Sequence, residues 1–517
     1  MGTRLLPRIA ALPRWEIVWL PVLVLLFAIA TASAGDAAWS KPELMKFMRE
    51  LAGYVVDHHM RRDNSPMRGK VYEFYDPVTG RQGYGAGLDT MHDGAFFANA
   101  CILAYRATGD AFYLCTARDW ILPFYVRMAN NSDTLFPNRT GAFSDGQKLP
   151  PERAVAMKGF IPYWWDDGHG VNFDAIARKI TIRQLLRDTS TITNDPENKE
   201  GILAGYSQGT SNHMALNMLP MFANGWLLTR DPAVADAIRY LRQARIRMIN
   251  MDLPWLQVAD LQARGDAAQA HRVAGNFDAL PWPPLKSAWW QAMVAKKKTA
   301  LTPFHDEAEA DYYAAVIGRR VGPGAAKRLA QLTYDVIRLQ DLWYGDKPRP
   351  RGEMYGAENH PPVFITDGKF ESLAGERPDI LLASRLGPQI LWACAQSLQL
   401  MRAFPDAWEN WFKGKYERPP EGWSEPPAAE VTATLRRELD EGLRYWRKEW
   451  QTRGYLRPHW PIGGKLPTRH YWQHRVSETG GYAHLIAACA VSLMSLDGKN
   501  DWDLAWSIVA GSLPAKP

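Results

Sequence analysis

Long segments with helical apolar patterning recur in pairs along this chain, each pair joined by a very short turn. Met91 to Ala107 is followed by Thr108-Gly109-Asp110 and then by a return segment, Ala111 to Met128. Met214 to Leu228, the turn Thr229-Arg230-Asp231-Pro232 and Ala233 to Asn250 repeat the arrangement. Ala308 to Gly318, the turn Arg319 to Pro323 and Gly324 to Leu342 repeat it again. Apolar residues three and four apart turn one face of each segment toward a core. Gly and Pro in the turns stop one helix and start the next. Helices that double back this way bury their apolar faces only by packing hairpin against hairpin.

Further helices are predicted at Pro42 to His58, Ile380 to Ala403, Val431 to Thr452 and from Glu478 or Thr479 to Leu496. In the first of these, Leu44, Met48, Leu51 and Val55 share a face, and Pro42 suits the opening turn. Asp89 or Thr90 is placed to cap the helix from Met91. Strand-type alternation is scarce, and Pro362-Val363-Phe364-Ile365-Thr366 is the one candidate. Long polar loops, 61–90, 130–172, 189–212, 252–306, 343–379 and 453–478, lie opposite the short turns, and 404–428 reads as a surface strap. The expected fold is all-α, an (α/α) toroid or barrel of about six or seven hairpins with its long loops on one face. Residues 35–517 would form one domain. An open solenoid would show a fixed short repeat, and none is present.

Residues 1–34 read as a secretory signal peptide. Arg4, Arg8 and Arg14 precede an apolar run from Ile17 to Ala30, and Ala30-Thr31-Ala32 and Ala32-Ser33-Ala34 offer cleavage sites. The run is shorter than the roughly 20 residues of a membrane span. The expectation is an exported protein, periplasmic or secreted, with no stable membrane association after cleavage; an uncleaved anchor is the alternative. The net charge of +6 is compatible with an acidic glycan and too diffuse for a nucleic-acid binder. Cys101, Cys115, Cys394 and Cys489 each sit in an apolar helical stretch and read as core residues. No metal or cofactor motif is present, so neither is expected, although Asp166-Asp167 suits a structural cation. The 22 Trp cluster in places with polar residues, as in Tyr163-Trp164-Trp165-Asp166-Asp167 and Arg469-His470-Tyr471-Trp472. Indoles there can stack on sugars, and indoles also fill large helical cores.

The stretch from Gly205 to Trp226 carries the most suggestive chemistry. Ser211 or Thr210 can cap a helix, with Asn212 and His213 in its first turn. An amide donor beside a titratable imidazole suits removal of the proton next to the carboxylate of a uronic acid. That step builds a dianion, so donors must neutralise the carboxylate while a base takes the proton and an acid serves the leaving oxygen.

In Asn212-His213, and in Arg349-Pro350-Arg351-Gly352-Glu353-Met354-Tyr355-Gly356, the chain resembles the helical-toroid polysaccharide lyases of the alginate and glucuronan lyase kind. The resemblance covers about residues 40–500 in architecture and residue kind. It implies that Asn212 and Arg351 bind the carboxylate, that His213 is neutraliser or base, and that Tyr355 is the acid. Tyr206, Tyr312 and Tyr313 compete with Tyr355. His92, His360, His474 and Arg475 are further candidates for holding substrate carboxylates, and Trp164 for stacking on a sugar. Asp89-Thr90-Met91-His92-Asp93-Gly94 and the segment from His470 to Tyr482 both precede helices and could line one mouth. Two other readings remain. A glycoside hydrolase on the same toroid would draw a carboxylate pair from Asp89, Asp93, Asp166, Asp167 and Glu478. A glycan-binding protein would cleave nothing.

Overall fold

A computed structural model describes residues 39–65, 67–83, 88–91, 93–131, 164–166, 215–249, 266, 268–269, 272, 299–301, 323–344, 349–352, 363–366, 369–372, 381–383, 386–410, 426–457, 459–461 and 476–501. The chain divides into two compact units, Met1–Glu43 and Leu44–Pro517. In the first, Ser40 and Glu43 cap each other. The Glu43 N–H donates to Ser40 Oγ at 3.4 Å, and the Ser40 N–H donates to Glu43 Oε2 at 3.1 Å. This reciprocal pair satisfies two otherwise orphaned donors and opens α1 (Lys41–Tyr54), with Pro42 in its first turn. The proposed signal peptide lies outside the described residues.

The second unit is mainly helical. Leu44, Met48 and Leu51 of α1 are fully buried, and the helix runs into a π-helical turn, Val55–His59, with Val55 also buried. α2 (Asp93–Thr108) is followed by α3 (Ala111–Cys115), a second π-helical turn (Thr116–Ile121) and α4 (Leu122–Asn130), which together make one return run. α5 (Ala215–Thr229) pairs with α6 (Pro232–Ile249). α7 (Pro323–Tyr344), α8 (Leu386–Ala403), the short α9 (Ala407–Asn410), α10 (Ala428–Arg453) and α11 (Thr479–Leu496) complete the helical set among the described residues.

Two turns are built alike. In each a threonine hydroxyl bonds back to the carbonyl four residues earlier, Thr108 to Ala104 and Thr229 to Gly225. The same hydroxyl accepts the N–H of Asp110 or Asp231, and that aspartate then caps the next helix through the N–H of Phe112 or Ala233. The middle residue is left-handed, Gly109 at φ +73° and Arg230 at +55°. Such a residue lets the chain reverse within three positions, at little cost for glycine and some strain for arginine.

α2 and α11 are buried nearly all round, the mark of interior helices. They pack extensively on each other; α11 also packs on α8, α8 on α7 and α10, and α5 on α2, α4 and α6. Among the described residues α11 is the one helix long and apolar enough to cross a membrane, but 83% of it is buried within the protein, as a core helix is. α10 buries Val431, Leu435, Leu439, Leu443 and Trp446 along one stripe and ends at Gly454, which is left-handed at φ 74°.

The loops hold more strand than expected. β1 (Phe74–Asp76) lies between β2 (Arg81–Gln82) and β10 (Ser477–Glu478), all antiparallel. β3 (Leu88–Thr90) pairs with β4 (Trp164–Asp166), and β8 (Leu381–Ala383) with β9 (His459–Pro461). β6 (Val363–Thr366), the one anticipated strand, joins β5 (Thr299–Leu301) to β7 (Lys369–Ser372). Two expectations are corrected. Residues 381–383 are strand, so that helix begins at Leu386. Asp89 and Thr90 lie in β3 rather than capping a helix, since α2 begins at Asp93. The helix expected at 308–318 lies outside the described residues. Cys101, Cys394 and Cys489 are buried and Cys115 partly so, all as free thiols; burial pushes the Cys101 and Cys489 thiols up.

The segment 349–352 is fastened to α10 by charge and by glycine. Arg349 donates to both Glu438 oxygens, at 2.9 and 2.5 Å, and to Asp341 at 2.9 Å. The Gly352 N–H donates to Glu438 at 2.8 Å, and Trp446 Nε1 donates to the Gly352 carbonyl at 2.9 Å. A Cβ on Gly352, whose φ is +84°, would lie 2.7 Å from Gly442 Cα; one on Gly387 would lie 2.1 Å from the Gly352 oxygen. Burial works against the Arg349 charge, yet Glu438 and Asp341 outweigh it and hold its pKa above the usual value. Glu438→Ala, which leaves that buried guanidinium with too little negative charge, is expected to cost about 3–5 kcal/mol, and Glu438→Gln less. Urea unfolding midpoints measure both; a loss below about 1 kcal/mol for the alanine variant would refute the anchoring role.

Candidate functional site

The heads of α2 and α11 meet, and three carboxylates meet with them. Asp93 is the first residue of α2 and Glu478 the residue before α11. Glu73 precedes β1, whose Phe74 is in register with Glu478, and the Thr479 N–H donates to the Glu73 carbonyl at 2.8 Å. One carboxylate oxygen from each lies within 4.8 Å of the other two. The residues are 5%, 0% and 3% exposed for Glu73, Asp93 and Glu478. Like charges this close disfavour one another, and the positive ends of two helices offset part of that cost. An all-oxygen set of this kind suits a hard divalent cation, should one bind. Gly94 fixes the start of α2: a Cβ there would lie 2.2 Å from Tyr125 Oη, which donates to the Met91 carbonyl at 2.8 Å.

His59 holds this junction. The π-helical turn at the end of α1 turns its ring inward, where it is fully buried. Nδ1 lies 3.2 Å from the Tyr72 carbonyl and 2.8 Å from Thr479 Oγ1, and the Thr479 hydroxyl donates to that same carbonyl at 2.6 Å. A carbonyl only accepts, so the network assigns the hydrogen to Nδ1 and leaves Nε2 to accept from the Ser477 hydroxyl at 2.7 Å. The two residues flanking Glu478 and the one before Glu73 are thereby tied to one imidazole. Burial lowers the His59 pKa to about 3, so the ring is neutral at physiological pH.

Aromatic rings close the flank. Tyr54 stacks on Tyr482 at 5.2 Å, with Trp450 edge-on at 5.5 Å. Tyr482 Oη accepts the Leu456 N–H at 2.8 Å. Burial raises Tyr54 to about 12 and Tyr482 well above the usual value, which makes both phenols poor proton shuttles near neutrality.

Of the residues singled out from sequence, Asn212, His213, Tyr355, His92, His360, His474 and Arg475 lie outside the described residues. Trp164 is in β4, its backbone in register with Thr90. Arg351 is described, and the carboxylates beside it are the protein's own: Asp341 at 2.6 Å and Glu438 at 3.4 Å. Asp93 and Glu478, taken from the two helix-heading segments, come together. Glu73 and His59 were missed. A run of β-branched and aromatic residues from Val71 to Tyr75, bounded by Gly69 and Pro77, is a strand signal that would have drawn attention to Glu73.

Comparison with family models, with curated proteins and with solved structures returned no match to this chain.

Stability should follow His59. Its folded pKa, about 3, is below the ordinary 6.5, so its contribution is complete above pH 6.5 and fades as pH falls toward 3. Thermal unfolding of the wild type should weaken between pH 6.5 and about 5, where carboxylates are still mostly ionised. His59→Gln should be less stable at pH 7 and flatter across that interval. An equal slope in both proteins would refute the assignment.

Proposed function

We propose that the chain is an exported polysaccharide lyase that cleaves a uronic-acid-containing polysaccharide by β-elimination, on a toroid of helical hairpins. The toroid is supported by α11, the last helix described, which packs on α2 of the first hairpin as well as on α8. An open solenoid would leave its last helix far from its first. The leader-like residues 1–34 support export.

The observation that carries the activity is the meeting of the α2 and α11 heads. His92 directly precedes Asp93 in the chain, and His474 and Arg475 shortly precede Glu478, so the two segments that hold these candidates run into one junction. The carboxylates there are too buried to touch a sugar. Their fitting role is to orient the imidazoles and the guanidinium of those segments, as carboxylates commonly do. With Arg351 engaged by Asp341 and Glu438, neutralising the substrate carboxylate falls to Asn212, helped by His92, His474 and Arg475. His213 takes the C5 proton and Tyr355 protonates the departing oxygen.

A second reading, glycoside hydrolysis, draws on the same geometry. Asp93 and Glu478 approach about as closely as the roughly 5 Å of a retaining pair. Their burial weighs against it.

Incubating the mature chain with a panel of polyuronates decides. A lyase generates an ultraviolet-absorbing double bond with each new chain end. A hydrolase generates reducing ends without that absorbance, and a glycan-binding protein generates neither. His213→Ala is expected to lose at least about 100-fold in turnover with its circular dichroism unchanged. Undiminished turnover would remove His213 from the mechanism.

A further inference from the structure

The end of α1 carries two adjacent histidines in different surroundings. In the π-helical turn Val55–His59 the Met60 N–H donates to the Val55 carbonyl at 3.0 Å, five residues back, where an α-helix would use the fourth. Turns of this kind are rare and recur at functional sites. His59 is fully buried, whereas His58 is half-buried. His58 is held by both backbone and ring. Its carbonyl accepts from Gln82 Nε2 at 2.8 Å, and its ring lies 4.4 Å from that of Tyr54 and 4.9 Å from that of Tyr75. Tyr75, on β1, is half-buried as well. Its ring is 6.3 Å from Tyr54, edge-on, and 5.7 Å from His59. Ser477, whose hydroxyl meets His59 Nε2 at 2.7 Å, is in register with Tyr75 across β1 and β10. The pair His58 and Tyr75 thus belongs to the aromatic cluster that flanks the junction.

The polar groups of this cluster divide in two. Trp450 Nε1 donates to Glu50 at 3.1 Å, Tyr482 Oη accepts from the Leu456 N–H at 2.8 Å, and the Tyr54 phenol oxygen is buried. Among the described residues, the His58 ring nitrogens and the Tyr75 phenol make no hydrogen bond. Polar groups in half-buried side chains need partners, and here solvent or a ligand must supply them. The carboxylates nearest in sequence are engaged elsewhere. Asp57 pairs with Arg62 at 3.3 Å, and Glu50 also meets Lys46 at 3.9 Å. Asp76 accepts the N–H groups of Val78 and Thr79 at 3.0 and 3.3 Å. An imidazole and a phenol fixed 4.9 Å apart are therefore left as donors with no carboxylate of the protein on them.

We propose that His58 and Tyr75 form a subsite for one uronate residue of the polysaccharide, the imidazole donating to its carboxylate and the phenol to a neighbouring hydroxyl. The identity of the ligand rests on the polyuronate reading. Packing against Tyr54 and Gln82 fixes both donors before the sugar arrives, which spares side-chain entropy on binding. A neutral glycan satisfies the phenol equally well and offers the imidazole only hydroxyls, so the carboxylate is the group that discriminates.

The test is calorimetric titration of the mature chain with uronic-acid tetrasaccharides prepared from the panel of polyuronates, and with the same tetrasaccharides reduced at their carboxyl groups. It is run in the His213→Ala background so that the ligand stays whole, while the unaltered chain is assayed for ultraviolet product. The best acidic tetrasaccharide should bind at least about ten-fold more tightly than its reduced form. Tyr75→Phe, which keeps the ring and removes only the hydroxyl, should weaken binding about five-fold, the factor given by about 1 kcal/mol for one hydrogen bond. His58→Gln should weaken acidic binding about ten-fold and leave binding of the reduced form nearly unchanged, a difference that a purely structural role would not produce. Acidic binding that depends on both residues, without ultraviolet product from any polyuronate, would uphold this subsite and sink the lyase reading. Ultraviolet product with unchanged affinity in both variants would keep the lyase reading and overturn the subsite. Equal affinity for acidic and reduced tetrasaccharides, or no binding, overturns it too. Should His58→Gln fail to fold, Tyr75→Phe decides: the five-fold loss upholds the subsite, and unchanged affinity overturns it.

Discussion

One neutral imidazole ties together segments up to 420 residues apart in the chain. His59 uses both ring nitrogens, one on the backbone next to Glu73 and on Thr479, the other on Ser477. The arrangement works only while the ring is uncharged, because a buried imidazolium there has no facing carboxylate among its hydrogen-bond partners. β1 and β10 are in register, α11 starts where it does, and Glu478 faces Glu73 because this joint holds.

Among the described residues, two clusters of buried charge are met by helix ends or backbone groups. At the α2–α11 junction, carboxylates sit at the positive ends of two interior helices. Beneath α10, Glu438 receives Arg349, Arg351 and the Gly352 N–H, and three glycines from three segments let the chain come close enough for those bonds to form. Both clusters lie where a loop enters the helical array. The chemistry proposed above depends on such loops being held at their roots.

Much of the helical frame was legible from sequence. α6 and α11 fall within a residue of their expected bounds, because long amphipathic or apolar runs and Pro or Thr starts leave few alternatives. Apart from β6, the strands were not legible. Segments of two to four residues are too short for alternation to register, and the partner of Leu381–Ala383 lies far downstream at His459–Pro461. The candidate site was half legible. Asp93 and Glu478 stood out as helix heads, whereas Glu73 and His59 acquire meaning only from contacts some 400 residues away. Arg351 shows a different limit. A guanidinium's charge is plain in the sequence, but which carboxylate it meets is decided by packing.

The two Thr-X-Asp turns saturate their own hydrogen-bonding groups within a few residues, leaving the reversal without slack. Any insertion at Gly109 or Arg230 would throw two helices out of phase. Variation in length among descendants of this design should therefore accumulate away from these two turns, so that the helical frame stays put.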